Sequence, residues 1–524
     1  MDWGPKPFLS ISTVPVFIDS HLRDFAPEIH ADIEWSHIQL LRKTQQELVD
    51  DLIKFDIDIL CLSLYCWNEE NVYAVTKNIK QLLGRDILIV AGGPSVTVYR
   101  NHAYLDEHPD FDFAVYAQGE QAFLDIMRHV RGEKRLSRLE SKNIAWRDEA
   151  GKFCLGDFEF IKKQTGSPYV ESRHLLEQQL NDLDYNGYVL EIPYETGKGC
   201  PFKCSFCDWT SGLTHKISKR QYTWYDELKM FGELGLVKLS LADANFGLHD
   251  DDLEIARIVV ELKKTYGYQF EVHRTNFSKT QKHRVFEIVE LWLEHNILVR
   301  PKFAVQDTHA YILENVDRPD VPWAEHRAFL DYLSPKYPKV NFMIELIQGL
   351  PGQTRESWEE TLLDIENYNS TIHPWAIIPN SPAGYDPEYR ERMKLKTVWS
   401  SYENRQNVSD DFWYKIETVV STYSYTIQDY AYFAILTRAM LSPAAKIAPS
   451  RREYINKIKN SKNLNSCIDK IVDNIEDGRE IFKIIIEFLK SLLLECRDWP
   501  KETQKQLFLF YTGNYFTSKK ETTT

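Results

Sequence analysis

Three cysteines in one short turn carry the strongest chemistry in this chain. Cys200, Cys204 and Cys207 lie in the segment Gly199-Cys200-Pro201-Phe202-Lys203-Cys204-Ser205-Phe206-Cys207-Asp208-Trp209, a C-x3-C-x2-C spacing directly after an apolar strand. Thiolates are soft ligands, suited to iron–sulfur clusters and to zinc. Three of them on one loop can hold three corners of a cubane [4Fe–4S] cluster. The fourth iron then lacks a protein ligand and stays open to a small chelating molecule. Structural zinc usually takes paired ligands well apart in sequence. Here zinc would need His215 or Asp208 to complete it, and no second cysteine pair exists. A zinc site and a trio of inert cysteines are the plainer alternatives.

These residues need a scaffold. Ile57–Leu64, Asp86–Ala91 and Phe111–Tyr116 are apolar runs of strand length with helical patterns between them. Continuous apolar strands alternating with helices predict a parallel sheet covered on both faces. Phe8–Val16 reads as a further strand, and 131–185 as a polar, irregular linker. From Tyr188 to Ile378 six strand–helix units follow, which predict a partial (β/α)6 barrel with its site at the strands' C-terminal ends. The expected fold class is thus α/β: a Rossmann-like domain over 1–130, a linker over 131–185, a partial barrel over 186–385 and a helical region over 386–524. Ile481–Cys496 reads as an amphipathic helix, and the tail from Ser518 as frayed.

At the cysteine loop the chain resembles the radical S-adenosylmethionine (SAM) superfamily, since aromatic Phe206 before the third cysteine fits that family's signature. Further blocks at successive strand ends agree: Leu241 to Gly247, Arg274 to Asn276, Ala304 to Asp307, Glu345 to Gly352, and Asn380-Ser381-Pro382. The resemblance implies that the open iron chelates SAM and that electron transfer yields a 5′-deoxyadenosyl radical able to remove hydrogen from an unactivated carbon. It assigns Asp243 and Asn245 to the SAM amino group. Arg274 would face the carboxylate and ribose, Gln306 would end the fourth strand, and Gly349 would let the backbone approach the adenosyl group.

Ser63 to Asn68, Gly92-Gly93-Pro94 and Gln118-Gly119-Glu120 resemble the cobalamin-binding domain preceding the barrel in one large class of this superfamily. Ser63, Gly92 and Gly93 are the candidate cobalamin contacts. The Asp-x-His-x-x-Gly motif that ligates cobalt is missing; Asp19-Ser20-His21 lacks the glycine, and His21 is expected to be a surface coincidence.

Within the family two reactions stand open. The chain is similar to ribosomal-peptide epimerases, which implies abstraction of an α-hydrogen from a precursor peptide and its return by a cysteine. Cys61, Cys66, Cys154, Cys467 and Cys496 are the remaining candidates, with Cys467 and Cys496 put forward as donors, although neither lies at a barrel strand end. A cobalamin-dependent methyltransferase needs no donor cysteine. Outside both stands a non-catalytic metal-binding module.

A net charge of −14 without a basic stripe argues against nucleic-acid binding. Lys216 to Arg220 reads as a local anion contact or a solvated face. No apolar run is long enough for a membrane span. Eight scattered cysteines do not make a disulfide scaffold. A reducing cytoplasm is the expected location, with flavodoxin or ferredoxin as electron donor.

Overall fold

The computed structural model describes residues 8–505 apart from 41–42, 66–67, 97–100, 160–165, 184, 186, 208, 210–216, 220–223, 320–321, 379–380, 404–412, 442–447, 449, 494, 496–498 and 502–504. The chain forms two compact units, Met1–Pro201 with Asp208–Val299 and Phe202–Cys207 with Arg300–Thr524.

In the first unit β1 (Phe8–Ser10) is followed by a helix, Val14–Phe25, that opens with Pro15. Proline's fixed φ suits a first helical turn, so the strand expected to reach Val16 stops short. Next come β2 (Ile59–Ser63), β3 (Leu88–Gly92) and β4 (Phe113–Val115), which pair in parallel. Leu62, Ile89, Ala91 and Ala114 are buried against Leu48, Leu52, Ile79 and Leu105 from the flanking segments. This is the expected Rossmann-like sheet. Its connections are shorter helices than the periodicity suggests, because Asn78 in the left-handed region splits one helix into Glu69–Thr76 and Ile79–Leu83.

The described residues of 131–185 are not all irregular. They supply β5 (Ile144–Arg147) and β6 (Phe153–Leu155), which extend the same sheet antiparallel, and the helix Arg173–Asp182. Ile144 and Ala145 are fully buried there, so the segment adds core as well as connection.

Then β7 (Val189–Tyr194) begins the second sheet of this unit. After β8 (Gly197–Lys198) and β9 (Ser218–Lys219), that sheet gains β10 (Lys238–Leu241) and β11 (Glu271–Arg274). Its order is β1-β7-β10-β11, all parallel, so β1 belongs here and not to the Rossmann-like sheet. Helices Trp224–Glu233, Asp250–Tyr266 and Lys282–Glu294 follow β9, β10 and β11 in turn.

The second unit holds β12 (Lys302–Gln306), β13 (Met343–Gln348) and β14 (Asn369–Pro374), again parallel. The six βα units are therefore present as two parallel groups. The last strand lies just before the expected Trp375–Ile378, whose Trp375 and Ile377 are core residues.

The C-terminal region is largely helical, with helices Ile427–Leu441, Arg451–Asn460, Leu464–Asp473 and Gly478–Leu493, the last presenting Ile484, Ile485, Phe488, Leu489 and Leu492 inward. An antiparallel hairpin, β15 (Lys396–Glu403) and β16 (Trp413–Ser421), precedes them. Among the described residues no helix is long and apolar enough to cross a membrane. The tail from Ser518 lies outside the described residues.

Candidate active site

The cysteine loop leaves and returns through a two-residue ladder. Gly197 pairs with Lys219 and Lys198 with Ser218, so β8 and β9 close its base. Gly199 then turns with φ +96°, a conformation that suits glycine, and delivers Cys200 to a buried position. The Asn245 side-chain amide donates to Cys200 Sγ at 3.0 Å, while its carbonyl Oδ1 is buried with no partner. Lys198 pairs with Glu120 at 2.8 Å. Burial alone would raise the Glu120 pKa, but the Lys198 charge and hydrogen bond outweigh it and hold the group below the usual carboxylate range.

Asp243, expected to meet the SAM amino group, is already committed. It accepts from Thr196 N at 3.0 Å, from the Thr196 hydroxyl at 2.7 Å and from Lys219 at 3.3 Å. This tie between strand ends was not foreseen. Lys219 comes from the basic stretch noted above, so the anion it contacts is internal. At the end of β11 Arg274 is half-exposed, with Nη2 3.7 Å from Glu191, and the buried Thr275 hydroxyl has no partner.

Within the second unit Ser205 is fixed from two sides. Its N–H donates to Val316 O at 2.9 Å, and its carbonyl accepts from Ala383 N at 2.9 Å. Its hydroxyl is 2.7 Å from that of Tyr389. Phe206 packs on the core around Ile312, Val316 and Trp375, with the Arg318 guanidinium 5.9 Å from its ring. Cys207 N donates to Cys204 O at 3.0 Å, and Cys204 is buried.

Gln306 ends β12 with φ +69°, unusual for a side chain of its size, and its buried Oε1 has no partner. Backbone strain at a strand end is a feature of functional sites. Gly349, at φ +93°, is held by Gln353 through its N–H at 2.6 Å and by the Tyr425 hydroxyl through its carbonyl at 2.7 Å. A Cβ there would lie 3.0 Å from that hydroxyl, so a side chain would crowd Tyr425 as well as strain the backbone. Gln353 and Tyr425 were missed because they stand outside the strand-end blocks. Asn380 lies outside the described residues.

Among the described residues no three His, Cys, Asp or Glu side chains gather as around a single metal ion. The polar atoms fit SAM better. Within the first unit, Asn245 Oδ1 and Thr275 Oγ1 are buried acceptors lacking the donors that such atoms almost always find. An ammonium and a ribose would offer them.

In the Rossmann-like sheet Ser63 pairs with Gly92 at the strand ends. Asn68 closes the following turn, accepting from Tyr65 N and donating to Ser63 O. His21 is not on the surface. It is buried on its helix with Nε2 3.3 Å from Gln121 Oε1, and burial lowers its pKa. Cys467 is buried on the helix Leu464–Asp473, where burial pushes its thiol up to about 12, the setting of a packing residue. Cys61 lies on β2 and Cys154 on β6, while Cys66 and Cys496 fall outside the described residues.

His309 sits between two carboxylates, 3.0 Å from Asp307 and 3.1 Å from Glu360. The Asp307 hydrogen bond leads, against burial, in raising its pKa to about 9. Because the folded value is raised, its contribution to stability is full below the ordinary 6.5 and fades as pH rises through about 9. Thermal unfolding of His309→Gln should therefore fall below wild type at low pH and converge with it above that range. A pH-independent gap would contradict the assignment.

Residues 194–365 match the radical SAM superfamily. The chain belongs to that superfamily, and a [4Fe–4S] cluster and SAM are its cofactors. It is 30% identical over 388 residues to the cobalamin-dependent radical SAM methyltransferase TokK of Streptomyces tokunonensis, covering 72% of this chain and 55% of that protein. It is 28% identical over 432 residues to the 2-(S-pantetheinyl)-carbapenam-3-carboxylate methyltransferase of Streptantibioticus cattleyicolor, covering 79% and 61%. The chain thus spans little more than half the length of these relatives. The radical SAM methyltransferase TsrM of Kitasatospora setae, solved with cobalamin and a [4Fe–4S] cluster bound, shares the fold at a TM-score of 0.59 and 12% identity, over 92% of this chain and 98% of that one.

Proposed function

We propose that the chain is a cobalamin-dependent methyltransferase that transfers a methyl group to an unactivated carbon of a small molecule. The observation that carries this reading is the similarity to TokK, which spans 72% of the chain, more than the barrel alone. It favours methylation over peptide epimerisation. Among the described residues, moreover, no cysteine outside the 200–207 loop stands on β7 or on β10 to β14, where a hydrogen donor would be expected.

When bound, the cluster with SAM would supply the radical that opens a C–H bond, and the corrinoid would supply the methyl group. The chain's own part is positional. Asn245 holds the Cys200 sulfur, Phe206 is fixed on its core, and Ser63 and Gly92 present the ends of the sheet. A reducing compartment and a flavodoxin or ferredoxin donor complete the reading.

The test is anaerobic reconstitution with cobalamin, methyl-deuterated SAM, reductant and candidate carboxylic-acid substrates. A corrinoid spectrum on the purified protein and a product heavier by one labelled methyl in place of hydrogen are expected. Failure to bind corrinoid, together with solvent deuterium entering a peptide α-carbon, would replace this reading with epimerisation.

A further inference from the structure

From the knot at the base of the cysteine loop we infer that Lys219 is a positioning residue for the iron–sulfur cluster. Its Nζ lies 2.7 Å from the Thr196 hydroxyl and 3.3 Å from Asp243, and it also pairs with Asp252. Asp252 is completely buried, and Asp243 and the lysine stem nearly so. A buried carboxylate is stable only when paired, and this one ammonium serves two of them. No other cation is within ion-pairing distance of either carboxylate among the described residues.

Each partner leads to the cluster loop. Thr196 lies between β7 and β8, next to Gly197, and Lys219 is itself the rung of β9 opposite Gly197. Asp252 accepts the N–H groups of Gly247 at 2.8 Å and His249 at 3.0 Å, and so fixes the turn that follows β10. Asp243 fixes the start of that turn, and between them stands Asn245, the donor to Cys200 Sγ. The ammonium also lies 5.8 Å from the ring of Phe246, which stacks on Trp292. Lys219 thereby sets both the exit of the loop and the hydrogen bond on one of its thiolates. Gly197 leaves the stem its space, since a Cβ there would come within 2.9 Å of Lys219 Cδ.

Net charge and hydrogen bonds to sulfur set the potential of such clusters. Lys219→Met removes a positive charge beside two carboxylates and loosens the Asn245 contact, and both changes disfavour the reduced cluster. In the reconstituted full-length protein this variant should lose iron to a chelator about 10–100-fold faster, the range seen for partners that orient metal ligands. The midpoint potential should move to a more negative value, and the change that SAM makes in the spin-resonance spectrum of the reduced cluster should be altered. Lys219→Arg should restore much of each. If Lys219→Met fails to fold, Gly197→Ala keeps every charge and displaces only the stem. It should reproduce the faster iron loss.

Wild-type iron retention, potential and spectrum in Lys219→Met would overturn the inference. So would an altered Lys219→Met that the arginine variant fails to rescue. Cys200→Ala is the control: a cluster that survives it refutes the ligand assignment itself, whereas its loss beside an unaffected Lys219→Met refutes only the role of the lysine.

Discussion

Cys204→Ala alone is expected to abolish reductive SAM cleavage as completely as replacing Cys200, Cys204 and Cys207 together. Three thiolates that hold one cluster act as a unit, and groups that act as a unit are grossly non-additive. Residues that merely orient metal ligands cost roughly 10–100-fold, so loss of a ligand should cost more than about a hundredfold. Cys204 is the most telling choice because it is 3% exposed and its neighbour Ser205 is held by Val316, Ala383 and Tyr389. The surrounding backbone therefore keeps its place after a change of one sulfur. The readouts are 5′-deoxyadenosine on reduction and the visible absorbance of the anaerobic protein. If the triple variant keeps that absorbance, these are not the ligands, and a plain metal-binding module becomes the better description.

Gly93→Ala should destabilise the Rossmann-like sheet by about 2–6 kcal/mol, through backbone strain and overpacking of roughly 1–3 kcal/mol each. Gly93 has φ +102°, and a Cβ would come within 2.5 Å of Leu64 O and 2.8 Å of Leu64 N. Those are backbone atoms, and the adjoining bonds from Leu64 N to Gly92 O at 2.7 Å and from Ser95 N to Leu64 O at 3.1 Å leave them no freedom to withdraw. Gly92 differs. A Cβ there meets nothing closer than 3.8 Å, so Gly92→Ala should leave denaturant unfolding near wild type. The glycine pair thus divides into one residue required by the fold and one free to serve a ligand. Equal effects on unfolding would contradict this division, and a loss of corrinoid affinity in Gly92→Ala alone would support the ligand role.

The cysteine loop was legible because chemistry fixes both residue type and spacing there, and the strand ends because buried parallel strands are continuous apolar runs. What stayed hidden depends on partners far apart in sequence. Asp243 reads as a lone acid at a strand end, and nothing local says that Thr196 and Lys219 take its oxygens. The left-handed Gln306 has no signature of its own. Strands as short as β6 carry too little alternation to stand out from polar surroundings, which is why 131–185 passed for a linker. His21 was misplaced because no element was expected around it, so nothing marked the helix Val14–Phe25 whose face buries it.

The strand Phe8–Ser10 finds its place only beside Val189–Glu191. The Ser10 hydroxyl reaches Glu191 at 2.6 Å, and Ile11 N donates to Glu191 O at 2.9 Å. Cutting the gene near codon 130 or 185 to obtain a free-standing Rossmann-like module would tear this edge from its sheet and leave a buried carboxylate without its hydroxyl. During synthesis on the ribosome, those opening residues must wait for nearly two hundred more before their neighbour emerges. The first strand belongs to a sheet built almost wholly from later residues, and a fragment strategy has to carry it along with that sheet.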